Sequence, residues 1–162
     1  MAARLADLLT IEAISPRLAA QDRAGVLTEL ATLLARSSEL SAADLAAALA
    51  ARERIGSTGS GDGVGLPHCK LAGLRRVHVC LGVSAPGIDF AAPDHRPVHV
   101  LVGLASPADA AGPHLLILSR VAGLFKHSSL GQELLRNREA ATMKAVLLDE
   151  EERFLRERRG RS

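Results

Sequence analysis

The sequence predicts an α/β protein in which a central β-sheet is covered by helices, and three observations carry that prediction. Apolar residues recur at helical spacing before Gly56 and again after Ser106, whereas between them apolar and small or polar residues alternate with period two. At 162 residues, without an internal repeat or linker, the chain is long enough to bury one ordinary core and reads as a single domain. With strands in the middle of the chain and helices on either side of them, a sheet flanked by helices buries every apolar face.

The elements follow in order. Leu5 to Ile14 reads as a short helix or strand that enters the fold, and Asp22 to Ala35 as a helix with Leu27, Leu30 and Leu34 on one stripe. Ser41-Ala42-Ala43-Asp44 opens a second helix with a capping-box-like start, ending near Glu53. Val77, Val79, Leu81 and Val83 alternate with His78, Cys80, Gly82 and Ser84, which marks a strand with one strongly apolar face, and Val98 to Leu104 is another strand. Beyond the Ser106-Pro107 break, Pro113 occupies the first turn of a helix reaching Phe125, and Ser128 to Leu135 and Glu139 to Arg158 complete the helical set. Residues 1–152 are expected to form the domain, and 153–162 a charged, frayed tail.

Composition excludes several function classes. Trp and Tyr are absent and Phe90, Phe125 and Phe154 are the only Phe residues, so stacking platforms for single-stranded nucleic acid have little material. A net charge of +2, with much of the basic excess between Arg153 and Arg161, is too small to argue for a polyanion partner, and nucleic-acid binding is discounted. No secretion pattern opens the chain, and no apolar run approaches the ~20 residues that span a bilayer. Two cysteines, Cys69 and Cys80, do not make a disulfide framework. A cytoplasmic protein without membrane insertion is expected.

Gly56 to Pro67 is a glycine-rich, side-chain-poor loop that runs into one rigidly placed histidine, His68. Glycines allow backbone N–H groups to converge on an oxyanion, and Pro67 fixes its own φ and pushes Leu66 into an extended conformation, which places His68 at a strand end. Nucleotide readings fail on spacing. A P-loop starting at Gly56 requires Lys-Ser or Lys-Thr after Gly61, where the chain has Asp62-Gly63, and a dinucleotide fingerprint finds Val64 or Leu66 where its third glycine belongs.

Two further side chains fall where their polarity is unexpected. Helical geometry puts Arg52 on the face of Leu45, Ala48 and Leu49, so it must snorkel, pair with a carboxylate or meet an anion, and the loop lies just beyond it. His114 lies on the stripe of Ile117, Leu118, Val121 and Phe125, at a helix N-terminus that favours an anion and a neutral imidazole; His127 falls on the solvated side. His95 with His99, and His78 with Cys80, are close pairs, but no closed Cys/His set of zinc-like spacing accompanies them and no metal is expected.

Arg52-Glu53-Arg54-Ile55-Gly56-Ser57-Thr58-Gly59 and Gly63-Val64-Gly65-Leu66-Pro67-His68-Cys69-Lys70-Leu71 carry a resemblance, with further echoes at Gly87-Ile88-Asp89-Phe90, from Pro97 to Leu104 and at His114-Leu115. Here the chain resembles enzyme IIA of the fructose/mannitol phosphotransferase family, most closely its nitrogen-regulatory branch. The resemblance implies a mixed parallel/antiparallel sheet between helices, His68 as phosphoryl acceptor, and Arg52 and His114 as residues that assist the phosphorylated site. It also implies a phosphocarrier of the HPr or NPr type as donor, itself charged from phosphoenolpyruvate by an enzyme I, and no cofactor, nucleotide or metal.

On this reading neutral His68 attacks the donor's phosphohistidine in line, and Arg52, His114 and the loop amides supply positioned donors, with Thr58 as a candidate for one more hydroxyl. The expected function is a regulatory phosphocarrier whose phosphorylation state controls partner proteins, since the chain carries no fused carrier or membrane domain. The alternative is a sugar-transport enzyme IIA that passes phosphate to a cysteine of a fructose-type enzyme IIB. A binding module without phosphotransfer is disfavoured by the joint presence of His68, Arg52 and His114. Cys69 stands where the family usually has glycine and Ser60 where it usually has an aliphatic residue. Cys69 is either a small, semi-exposed side chain or a redox gate whose oxidation blocks donor docking.

Overall fold

The computed structural model describes residues 4–162. The N-terminal segment resolves into a short helix α1 (Leu5–Leu8), a 3-10 turn at Ile11–Ala13 and a two-residue strand β1 (Ile14–Ser15). Helix α2 (Arg23–Ala35) starts at Asp22, whose carboxylate accepts from the Gly25 N–H at 2.7 Å, and α3 (Ala42–Ile55) starts at Ser41, whose hydroxyl accepts from the Asp44 N–H at 3.1 Å. Each cap satisfies a backbone donor that the first helical turn leaves free.

The glycine-rich stretch is not all loop. It folds into a hairpin of β2 (Gly59–Gly61) and β3 (Val64–Gly65), turned by Asp62 (φ 56°) and Gly63 (φ 80°). Two central residues with positive φ match the right-handed twist of a tight hairpin, and Asp-Gly is the sequence that tolerates it best. β4 (His68–Leu71) follows at once.

The two long strands are β5 (His78–Ile88) and β6 (Val98–Pro107), paired antiparallel. β1 runs parallel to β5 on one edge, and β3 and β4 run parallel to β6 on the other, so the sheet is mixed. β3 and β4 share one register against β6: Val64 opposes Val100, Gly65 opposes Leu101 and His68 opposes Leu104. They are two halves of one strand interrupted at Leu66-Pro67, because Pro67 has no N–H to give the ladder and the Leu66 N–H turns instead to the Thr58 carbonyl at 2.9 Å.

The remaining helices are α4 (Ala111–Phe125), α5 (Leu130–Arg136) and α6 (Ala140–Arg159). α2 packs on β5 and β6 and α3 on β4, while α5 packs on β5 and β6 and α6 lies over α1 and α5, so helices cover both faces of the sheet. The core is almost entirely aliphatic, with Phe90 its one fully buried aromatic ring. Close approach requires glycine at position 103, where a Cβ would come within 2.5 Å of Cys80 Sγ. α6 matches the helix expected from Glu139 to Arg158, and it carries the stretch expected as a frayed tail in helical form as far as Arg159, with Phe154 packed over Gly123 of α4 and the Arg158 guanidinium 5.6 Å from the Phe154 ring.

Candidate active site

His68 opens β4 immediately after the Leu66-Pro67 interruption, and that interruption shapes its chemistry. Because Leu66 does not pair with β6, its carbonyl is free to accept from His68 Nδ1–H at 2.7 Å. The proton of a neutral imidazole is thereby held on Nδ1, and the lone pair is left on Nε2. Among the described residues Nε2 has no hydrogen-bond partner and is not one of the enclosed atoms that lack one, so it opens on the cleft that His68 lines. Burial lowers the pKa of His68 most, with the charges of Arg52 and Lys70 acting in the same sense and the Leu66 carbonyl and Glu53 opposing them; the net direction is downward.

The cleft has a volume of about 590 Å³, and its polar lining is Arg52, His68, Lys70 and His114, with no carboxylate among the described residues. Arg52 reaches it from the last turn of α3, half-buried, and donates through Nη1 to the Gly56 carbonyl at 2.9 Å. A guanidinium carries five N–H donors in a planar fork, so this bond leaves others for an anion. His114 comes from the first turn of α4 and is 3% exposed; its ring centroid lies 5.4 Å from that of His68 at an interplanar angle of 57°. Its Nδ1 lies 2.7 Å from the Ser106 hydroxyl. Burial, then the nearby His68 and Lys70, push its pKa down to about 4, so the ring is neutral at neutral pH. Thus His68, Arg52 and His114, far apart in sequence, meet in one cleft.

The loop between them plays a different part from the one expected. None of residues 56–67 lines the cleft. The Thr58 N–H is given to Glu53 Oε1 at 3.0 Å, the Gly59 N–H to the Ser57 hydroxyl at 3.1 Å and the Asp62 N–H to Asp94 at 2.9 Å, so these amides are spent inside the fold and do not cradle an anion. The Thr58 hydroxyl likewise donates to Glu53 Oε2 at 2.5 Å, and Thr58 does not line the cleft. Glu53, 6% exposed, is therefore the anchor of the loop, and Arg23 lies 3.9 Å from its carboxylate.

Cys69 borders the cleft, but its side chain is 5% exposed, belongs to the apolar core, and has its pKa pushed by burial to about 11. A reactive thiol needs exposure and a stabilised thiolate, and Cys69 has neither. Ser60 is exposed and donates to the Val64 carbonyl within the hairpin. Of the other histidines, His78 Nδ1 lies 3.1 Å from the Ser37 hydroxyl and His99 Nδ1 lies 3.0 Å from the Ser84 carbonyl. Among the described residues no three His, Cys, Asp or Glu side chains are grouped as a metal requires.

Three residues of the site escaped the sequence reading. Glu53 continues the Leu45, Leu49 stripe by one more turn, and Lys70 follows His68 by one strand period; both were legible from spacing. Ser106 was hidden, since it depends on the pairing of β4 with β6.

A nucleophilic nitrogen, two neighbouring cations and a neutral second imidazole suit a site that accepts a dianionic group on His68. Residues 7–150 match the model of the phosphoenolpyruvate-dependent sugar phosphotransferase system, EIIA 2. The chain is 32% identical over 143 residues to a nitrogen regulatory protein of Bradyrhizobium diazoefficiens, which covers 88% of this chain and 94% of the relative. It is 30% identical over 135 residues to the PTS system fructose-specific EIIABC component of Bacillus subtilis, covering 82% of this chain and 21% of that protein. The crystal structure of nitrogen regulatory protein IIA-Ntr from Neisseria meningitidis superposes with a TM-score of 0.83 at 34% identity, covering 88% of this chain and 98% of that one. The chain belongs to the EIIA 2 family of the phosphoenolpyruvate-dependent sugar phosphotransferase system.

Proposed function

We propose that the protein is a regulatory phosphocarrier of the cytoplasm: His68 accepts a phosphoryl group from a histidine phosphocarrier of the HPr or NPr type, and the charge gained changes which partner proteins it binds. The observation that carries this reading is the His68 ring itself, with its Nδ1 proton committed to the Leu66 carbonyl and its Nε2 open to a cleft free of carboxylates. The lone pair of Nε2 attacks the phosphorus of the donor's phosphohistidine. As the new N–P bond forms, the donor's N–P bond breaks, and its electron pair returns to the donor imidazole. The Nδ1 proton stays on His68 throughout, steadied by the Leu66 carbonyl.

Arg52 and His114 act on the transferred group as hydrogen-bond donors, which suits a reaction that depends on positioning and charge stabilisation more than on covalent help. Thr58 acts one step removed, by tying the loop to Glu53. Ile55 at 84% exposure and Leu115 at 64% stand at the rim of the cleft, and an apolar rim around a polar centre is what a docking protein meets. With the Nδ1 proton retained, transfer brings a dianionic phosphoryl group to this rim on a cationic ring, a net gain of about one negative charge that favours one partner and rejects another. No helix among the described residues is long and apolar enough to cross a membrane.

A second reading, transfer from His68 to a cysteine of a fructose-type enzyme IIB, is favoured by the similarity to the fructose-specific component of Bacillus subtilis. A two-step labelling reaction separates the readings. With phosphoenolpyruvate, an enzyme I and an HPr- or NPr-type donor, the wild-type chain should take up an acid-labile, alkali-stable phosphate and His68→Ala none. Label persisting on His68→Ala would sink the acceptor assignment, and onward transfer to a fructose-type enzyme IIB would favour the transport reading.

A further inference from the structure

The buried pair of His114 and Ser106 has only one satisfactory hydrogen-bond arrangement. Ser106 is 0% exposed, its hydroxyl lies 2.7 Å from His114 Nδ1, and it has no other side-chain partner among the described residues. A hydroxyl brings one proton to such a pair and a neutral imidazole brings one N–H. If the ring carried its proton on Nδ1, that N–H would point at the hydroxyl oxygen, and the hydroxyl proton would be left in the interior without an acceptor. With the hydroxyl donating to the Nδ1 lone pair, both groups are satisfied, and the ring's single N–H sits on Nε2.

Nε2 of His114 is the atom that matters for the cleft. Among the described residues it has no hydrogen-bond partner, and the enclosed side-chain atoms without a partner comprise His78 Nε2 alone, so His114 Nε2 has access to the cleft that the ring lines beside His68. Ser106 reaches its place by strand register. On β6, Leu104 opposes His68 and Ser106 opposes Lys70, so the strand that holds His68 in line also carries the side chain that meets His114. The neutrality on which the accounting depends agrees with the depressed pKa of His114, about 4.

We propose that Ser106 is a positioning residue for phosphoryl transfer: its hydroxyl donates to His114 Nδ1 and fixes the ring in the tautomer that presents Nε2–H to the phosphoryl group on His68. The proposal rests on the reading of His68 as acceptor and assigns the step that makes His114 a donor there. A ring in the other tautomer would offer a lone pair to an anionic oxygen and repel it. Ser106 thus acts through His114 and touches no reacting atom.

Two measurements on the full chain test this. In the unphosphorylated protein labelled with ¹⁵N-histidine, long-range ¹H–¹⁵N correlations at pH 7.5 should show a protonated Nε2 and an unprotonated Nδ1 for His114. Ser106→Ala should shift the ring toward a mixture of tautomers and Ser106→Thr, which keeps the hydroxyl, should restore the wild-type pattern. A protonated Nδ1 in the wild type, or an unchanged tautomer in Ser106→Ala, overturns the proposal while the acceptor assignment stands. Transfer from the HPr- or NPr-type donor should then slow about tenfold in Ser106→Ala, less than the roughly 10²–10³-fold cost of removing a positioned donor outright. An unaltered rate in a folded Ser106→Ala variant overturns the proposal, and a wild type that takes no label overturns both it and the acceptor assignment.

Discussion

At the scale of single residues, the site depends on two imidazoles staying neutral beside two cations. Desolvation pushes His68 and His114 in the same direction, and Arg52 and Lys70 reinforce it at His68. Protonating either ring would place a further positive charge next to an existing one, and in His68 would remove the attacking lone pair. Both folded pKa values therefore lie below the ordinary histidine value, and the neutral rings persist as pH falls through 6.5. A titration followed by the ring ¹H resonances should give midpoints below 6.5 for both, with His114 near 4; a midpoint at or above the ordinary value for His68 would contradict the neutral nucleophile. Cys69 is the opposite case, a residue whose position beside His68 invites a role that its burial denies. Mild peroxide treatment should leave the phosphotransfer rate of the wild type unchanged, and Cys69→Ala should match it. A rate loss on oxidation that Cys69→Ala abolishes would restore the redox gate.

At the scale of elements, Glu53 and Thr58 form the clasp between the end of α3 and the hairpin that leads to His68. The Glu53 carboxylate accepts from both the Thr58 N–H and its hydroxyl in a buried setting, so losing the carboxylate strands two donors at once. Glu53→Ala should cost about 3 kcal/mol of stability, whereas Thr58→Val, which keeps the backbone bond and the shape, should cost roughly 1–2 kcal/mol. Urea unfolding of both variants checks the ranking, and equal costs would show that the hydroxyl carries the whole interaction. Much at this scale was legible: the caps at Asp22 and Ser41, the long strands and the inward face of His114 all follow from local spacing. The hairpin was not separable from an anion-binding loop on glycine content alone, because glycine suits both; Asp62-Gly63, with positive φ at both residues, is the turn signal that distinguishes them. Arg52 was placed on a buried face, yet it is Glu53 that is buried while Arg52 is half-buried, since the face that α3 packs inward is centred on Leu45, Leu49 and Glu53. Strand order lay beyond sequence reasoning, because the parallel pairing of β3 and β4 with β6 depends on contacts between distant segments.

At the scale of the whole molecule, α6 closes the fold by joining its two ends to the element that carries His114. The buried Glu151 carboxylate accepts from the Leu5 N–H at 2.7 Å and lies 3.7 Å from the Arg120 guanidinium of α4, so one side chain links α1, α4 and α6. Three residues later Phe154 covers Gly123, where a Cβ would approach within 2.8 Å of the ring. These contacts lie beyond residue 150, where the match to the family model ends. They explain why a segment whose charge pattern suggested fraying stays helical: apolar packing and a buried carboxylate fix its first turns, and the arginines remain at the exposed tip. Removing the Glu151 carboxylate takes the acceptor from the buried Leu5 N–H, and a buried donor left unsatisfied typically costs about 1–3 kcal/mol. Glu151→Ala should approach the upper end of that range, and deleting residues 153–162, which removes the packing of the partly buried Phe154 and Leu155 together with exposed charges, should cost less. Neither change touches the cleft, so at a temperature where both variants remain folded their rate of phosphoryl uptake should stay within about twofold of wild type, since surface and distant changes seldom couple strongly to a site. Urea unfolding paired with the uptake rate decides the matter: a stable deletion variant with a much slower uptake would mean that the basic tip takes part in donor docking and is more than the solvated end of a structural helix.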